Sequence, residues 1–227
     1  LVIEGTDFSG KTTQYEKLIS KLWSIGIDIT SESFPNYKSN SSYFVKEYLG
    51  GSYGVNANSI NPKAASLFYA LDRFDTYMKN EWGKVYKAGG NIVLARYITS
   101  NILHQSSKYL TEKEQLEFID WLYHIETEIL GIPKEDKVIF LDVPYEFIRE
   151  QKEKRLKENS GLSSAGQKRD IHEEDETHLI KAYNTAKIVA EKFNWVVIDC
   201  VREGKMRTID DIHEDILKVA LEFFEEK

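Results

Sequence analysis

The amino-acid sequence predicts an α/β fold: a three-layer α/β/α arrangement around a roughly five-stranded parallel sheet. Apolar runs of strand length alternate with longer amphipathic stretches. The runs are continuously apolar rather than alternating, as parallel strands covered on both faces require. No internal repeat breaks the pattern.

Taken in order, LVIE (1–4) opens the sheet and a helix follows over about 11–23, with DITSESF (28–34) as the second strand. NIVLAR (91–96), VIFLDV (138–143) and WVVID (195–199) complete the set. Helical periodicity covers about 61–88, 111–130, 144–158, 175–193 and 209–225. The whole chain, 1–227, reads as one doubly wound domain. The stretch ENSGLSSAGQKRD (158–170) is polar and rich in glycine and serine. Composition alone describes a solvated linker, whereas its place between two helices after the fourth strand suits a mobile lid.

Composition bounds the function. With 41% hydrophobic and 12% aromatic residues, 227 residues can bury a sizeable core. Cys200 is the single cysteine, which excludes an internal disulfide and a cysteine-based metal site and fits a reducing compartment, so a cytoplasmic location is expected. No apolar run approaches the ~20 residues of a membrane span, and no signal-peptide pattern is present. A strand at Leu1 leaves room for residues before it. A net charge of −7 argues against nucleic acid as a partner but allows a small anion in a local basic pocket.

The most specific motif lies at the start. Gly5-Thr6-Asp7-Phe8-Ser9-Gly10-Lys11-Thr12, continued by Thr13, fits G-x-x-x-x-G-K-[ST] between an apolar run and a helix. Gly5 and Gly10 allow backbone angles that turn successive N–H groups inward, making a phosphate nest at a helix N-terminus. Lys11 is placed to reach β- and γ-phosphates and the Thr12 hydroxyl to ligate Mg²⁺. The chain is thus of the P-loop NTPase type. No N-K-x-D segment of the kind that reads guanine in GTPases occurs, and a motor or transporter ATPase would need more chain.

Asp7 within the P-loop, SFPNYKSNSSYFVKEYLGGSYG (33–54), SLFYALDRFDTY (66–77), ARYITSN (95–101) and LDVPYE (141–146) occur in the order and at the spacing found in thymidylate kinases, which the chain resembles from Leu1 to about Asp199. The resemblance implies transfer of the γ-phosphoryl group of ATP to dTMP, giving dTDP, with Mg²⁺, by a homodimer of the nucleoside-monophosphate-kinase fold.

The resemblance also implies site residues. Asp7 would accept a hydrogen bond from the sugar 3′-hydroxyl of the acceptor nucleotide. Tyr69 and Arg73, four apart on one helical face, would address the base by stacking and by polar contact. Phe68 competes for the stacking role, and Arg73 could instead pair with Asp72 or Asp75. Phe34, before Pro35, would line the acceptor side, although a proline there also simply ends a strand. Arg96, at the carboxyl end of its strand, would grip the acceptor phosphate, with a structural ion pair as the competing reading. Tyr97 would flank the nucleotide and Asn101 would hydrogen-bond the pyrimidine. Arg155 and Arg169, beside Lys154 and Lys168, would close over ATP from a lid at about 150–172. Glu173, Glu174, Asp175 and Glu176 read as acids at a helix start.

Ala95 departs from the family, which has aspartate there, beside Mg²⁺ and the transferred group. Three readings follow: an inactivated variant, a naturally weak or silent kinase, or a subgroup in which another acid substitutes. Asp142 has the same apolar-run-then-acid setting, but the family has aspartate there as well, so it is not a new recruit. Since phosphoryl transfer rests on positioning and charge stabilisation, activity without the residue-95 carboxylate is conceivable. A kinase for another nucleotide or nucleoside and a silent nucleotide-binding protein are the alternatives.

Overall fold

The structure is a computed structural model that describes residues 1–158 and 170–225. Five parallel strands form the central sheet in the order β2-β3-β1-β4-β5, with β1 at Val2–Gly5, β2 at Thr30–Ser33, β3 at Ile92–Ala95, β4 at Val138–Asp142 and β5 at Val196–Asp199. Neighbours on each strand point to opposite faces. Val2, Leu94 and Phe140 enter one core, while Ile3, Val93, Ile139 and Leu141 enter the other. Both faces are therefore apolar, and both are covered.

The second core is closed by α1 (Lys11–Ser24) and α10 (Ile209–Glu225). Leu18 and Leu22 of the first helix and Ile216 and Ala220 of the last are fully buried there. The first core lies under α4 (Glu81–Lys87), α5 (Ile98–Ser106), α6 (Glu112–Tyr123) and α9 (Glu176–Lys192). Thr111 caps α6 in a capping box with Glu114. Beside the sheet's carboxyl edge, α2 (Tyr43–Leu49) and α3 (Pro62–Lys79) enclose a smaller core of Val45, Tyr48, Leu49 and Ala65 with Ile171 of α8 (Ile171–Glu174). The helix α7 (Tyr145–Glu158) and a two-stranded hairpin, β6 (Val201–Arg202) and β7 (Lys205–Met206), complete the described residues.

Several boundaries differ from the sequence expectation. The long helix expected over 61–88 is two helices, broken at Asn80, whose extended backbone (φ −84°, ψ 168°) accompanies a 2.7 Å hydrogen bond from its side chain to Glu32 Oε2. Beyond Tyr123, the helix expected to reach 130 widens into a π-helical turn over His124–Ile129. The helices α2, α5 and α8 fall outside the stretches where helical periodicity is visible in the sequence. No helix among the described residues is long and apolar enough to cross a membrane.

Candidate active site

The P-loop leaves the carboxyl end of β1 and opens α1. Gly10 sits in the left-handed region (φ 81°) as the N-cap, with no side chain capping the helix, so the first N–H groups of α1 keep their capacity for an anion. Phe8 is also left-handed, at φ 63°. Gly5 is not left-handed; a Cβ there would stand 2.6 Å from Ser9 Oγ and 3.2 Å from Leu141 O, so the neighbours would have to give way to any side chain. The Thr6 and Ser9 hydroxyls are buried without hydrogen-bond partners. Lys11 folds back to donate to Thr6 O at 2.5 Å. Burial, with Arg96 nearby, pulls its ammonium down to about 7, and an arriving phosphate would restore its charge.

A cavity of about 280 Å³ adjoins this loop and shares Asp7 and Thr12 with it. Phe34, Tyr69, Arg73, Arg96, Tyr97 and Asn101 all line it. Separate chain segments thus deliver the residues named from sequence to one space. Between the two tyrosine-helix candidates, Tyr69 faces the cavity; Phe68 packs instead on Phe44, with ring centroids 5.6 Å apart and an interplanar angle of 20°.

Arg96 follows β3 with a left-handed backbone (φ 60°), and its Nη2 lies 2.5 Å from Asp7 Oδ1. Burial disfavours both charges, but the pairing outweighs it: Asp7 is held well below the usual carboxylate range and Arg96 is pushed above its ordinary value by Asp7 and Glu4. The ion pair and the phosphate-gripping role are compatible, because one nitrogen is committed and a guanidinium carries five N–H donors.

Arg73 is tied down more tightly, and neither Asp72 nor Asp75 holds it. Its Nε and Nη2 donate to Glu126 Oε2 and Oε1 at 2.6 and 2.5 Å, and Nη1 donates to Tyr97 O at 3.2 Å. Asp72 accepts from Asn36 N and Ser41 Oγ, and Asp75 pairs with Lys79. Asn101 donates from Nδ2 to Ser66 O and Glu126 Oε1 at 3.1 and 3.3 Å, and its Oδ1 is buried with no partner. The amide thus keeps an unused acceptor on a residue that lines the cavity. Tyr97 donates its hydroxyl to Pro133 O, leaving ring and backbone to the site. Phe34, before a cis peptide to Pro35, packs edge-on against Trp82.

Ala95 ends β3 between Ile3 and Ser33, 5% exposed. The nearest buried acid on the adjoining strand is Glu4, which has no solvent exposure. Its Oε1 accepts from Gly5 N, and its Oε2 accepts from Thr99 Oγ1 and Ser100 Oγ. Glu4 acts electrostatically on both Lys11 and Arg96. Asp142 is engaged elsewhere, accepting from Tyr183 at 2.9 Å and pairing with Lys187 at 3.3 Å.

Sequence reasoning passed over Glu4, Glu126, His104, Asp170 and the cavity position of Glu173. An acid closing the apolar run LVIE was a readable signal for Glu4; the others offered none. Asp170 caps α8 by accepting from His172 N and Glu173 N, and burial beside Glu173 and Asp7 raises its carboxyl to about 7. Glu173, expected only as an acid at a helix start, also lines the cavity. The Arg155 side chain and residues 159–169, with Lys168 and Arg169 of the expected lid, lie outside the described residues.

The fold and this site together define a P-loop protein of the nucleotide phosphotransferase class, with a phosphate nest opening onto a second, base-sized cavity. A family model described as "Thymidylate kinase" matches residues 3–216, and the chain belongs to the thymidylate kinase family. It is 27% identical over 218 residues to the thymidylate kinase of Plasmodium falciparum, covering 96% of this chain and 87% of that one. To the thymidylate kinase of Mycobacterium tuberculosis it is 29% identical over 189 residues, covering 80% and 83%. The solved structure of thymidylate kinase from Candida albicans, reported as revealing the origin of broad substrate specificity, superposes with a TM-score of 0.69 at 22% identity. The match covers 100% of this chain and 92% of that chain.

Proposed function

We infer that this chain phosphorylates dTMP to dTDP with ATP and Mg²⁺, as one kinase domain over residues 1–227. The observation that carries the reading is the sharing of Asp7 and Thr12 between the P-loop and the cavity lined by Tyr69, Arg96 and Asn101. A nucleotide in that cavity would present its phosphate to the nest. Its base would meet the Tyr69 ring and the free acceptor of Asn101, which suits the N3–H donor of thymine or uracil and not the N3 acceptor of cytosine.

In this reading Lys11 and the α1 N–H groups hold the ATP phosphates, Arg96 grips the acceptor phosphate, and Asp7 both orients Arg96 and takes the sugar hydroxyl. Thr12, Asp170 and Glu173 all line this cavity and offer oxygen donors, the kind that a hard cation such as Mg²⁺ takes. That ion would neutralise phosphate charge during transfer. Arg155 and Arg169, whose side chains lie outside the described residues, are the groups the family resemblance implies for the ATP side. Glu4 is the acid we assign to the substituting role that Ala95 leaves open, on the strength of its burial and its influence on Lys11 and Arg96. A homodimer is supported by the exposed stripe of Leu67, Leu71 and Met78 on α3. A cytoplasmic location fits the absence of a membrane-spanning helix among the described residues.

The test is a coupled assay of ATP with dTMP, dUMP, dCMP and dGMP on this chain and on Ala95→Asp. Turnover is expected with dTMP above the others, and at least about tenfold faster in Ala95→Asp, since each tenfold is only about 1.4 kcal/mol of barrier. No turnover in either protein, with nucleotide binding intact, would leave a silent binding protein.

A further inference from the structure

Three histidines from three helices meet beside the cavity. His104 comes from α5, His172 from α8 and His178 from α9. One nitrogen of each lies within 4.8 Å of the other two, and all three rings are buried. His104 Nδ1 and His178 Nε2 are 3.3 Å apart. Two ligands bound at about 2.0–2.1 Å to a tetrahedral zinc-type ion are separated by about the same distance, roughly 3.3 Å.

One of the three rings, His172, also has a polar neighbour outside the cluster. The Tyr48 hydroxyl oxygen lies 2.9 Å from His172 Nε2 and accepts from Lys108 Nζ at 2.7 Å, so a polar neighbour fixes the orientation of the His172 ring. His104 Nε2 is buried without a hydrogen-bond partner, 4.0 Å from Asp7 Oδ2.

We propose that His104, His172 and His178 bind a divalent transition-metal ion of the zinc class, distinct from the Mg²⁺ of phosphoryl transfer. Three nitrogen ligands select against Mg²⁺, which takes oxygen donors. The ion clamps α5, whose neighbouring residues line the cavity, to α8 and α9, which follow residues 159–169. The competing account is a plain hydrogen bond between the rings of His104 and His178 with no ion.

The two accounts separate on the full chain without an affinity tag, stripped with a chelator and titrated with Zn²⁺ or Co²⁺ in the absence of nucleotide. One equivalent of Zn²⁺ is expected to bind and raise the melting temperature. Co²⁺ should give the visible absorption of a four-coordinate nitrogen site, lost in His178→Ala and kept in His124→Ala, whose ring is exposed away from the cluster. Tyr48→Phe keeps all three rings and should lower zinc affinity about tenfold or more; it serves as the deciding variant if His178→Ala fails to fold. Absence of stoichiometric binding to the unmodified chain, or binding that these two cluster variants leave unchanged, would overturn the site.

Discussion

The P-loop and the cavity beside it meet at Asp7, yet they are built on opposite plans. The nest is made of eight consecutive residues whose working groups are mostly backbone N–H, positioned by Gly10 and by the space that Gly5 leaves. The cavity wall is made of side chains held by partners far along the chain, such as Arg73 by Glu126, 53 residues away. Substitutions in the nest should therefore cost activity and spare the fold. Substitutions in the ion pairs that hold the wall should cost the fold as well, because each strands a buried charge.

Glu126→Ala tests that contrast most strongly. Both members of the pair are buried, at 2% and 0% exposure, so removing the acid strands a guanidinium and should cost about 3–5 kcal/mol, measured by urea unfolding. Loss below about 1 kcal/mol would show that the wall is as tolerant as the nest. Lys11→Ala is the counterpart: phosphoryl transfer should fall by about 10²–10³, the range for removing one transition-state donor. Its melting temperature should hold or rise, because Lys11 is buried and its charged form disfavoured. A large fall in stability would erase the distinction.

Asp170 offers a smaller and pH-dependent contrast. Its folded value, about 7, lies above the ordinary 3.8. The native state thus binds the proton more tightly than the unfolded chain. The resulting stability is complete below the ordinary value and is lost as pH rises through about 7. Asp170→Asn can still cap α8 through its side-chain oxygen. It should match the unmodified protein at about pH 3.5 and exceed it by roughly 3–5 kcal/mol at about pH 8.5, since each tenfold change in proton affinity is worth about 1.4 kcal/mol. A stability difference independent of pH would mean that Asp170 is solvated.

The same contrast explains what was legible in the sequence. The strands β1, β3 and β4 were readable because parallel strands buried on two faces are largely apolar, and the P-loop because its motif lies in a contiguous stretch. The helix α5 was not readable: from Asn101 to Ser106 every residue is buried, so it lacks the polar face on which a periodicity argument depends. The wall's residues were found through the family resemblance, but the partners that restrain them were not. Nothing in the order of residues links Arg73 to Glu126, or His104 to His172 and His178. Gly5 was named for a turn conformation, whereas in the structure its φ is not left-handed and the neighbours Ser9 and Leu141 leave little room for a Cβ.

The smallest expected effect returns to the junction of the two regions. At about pH 7.5 an ammonium whose value is about 7 is mostly neutral in the nucleotide-free protein. ATP brings negative charge to the same place and restores the value towards its ordinary 10.5. Binding ATP should therefore take up a fraction of a proton, on the order of 0.5 to 0.8 at this pH by simple titration. Calorimetry in buffers of different ionisation enthalpy measures that number directly. Lys11→Ala should remove the uptake, and Asp7→Asn should change it by deepening the depression of Lys11, since Asp7 is the first group that opposes it. No uptake with the unmodified chain would place Lys11 in water before ATP arrives, and the nest would then be less preformed than its backbone suggests.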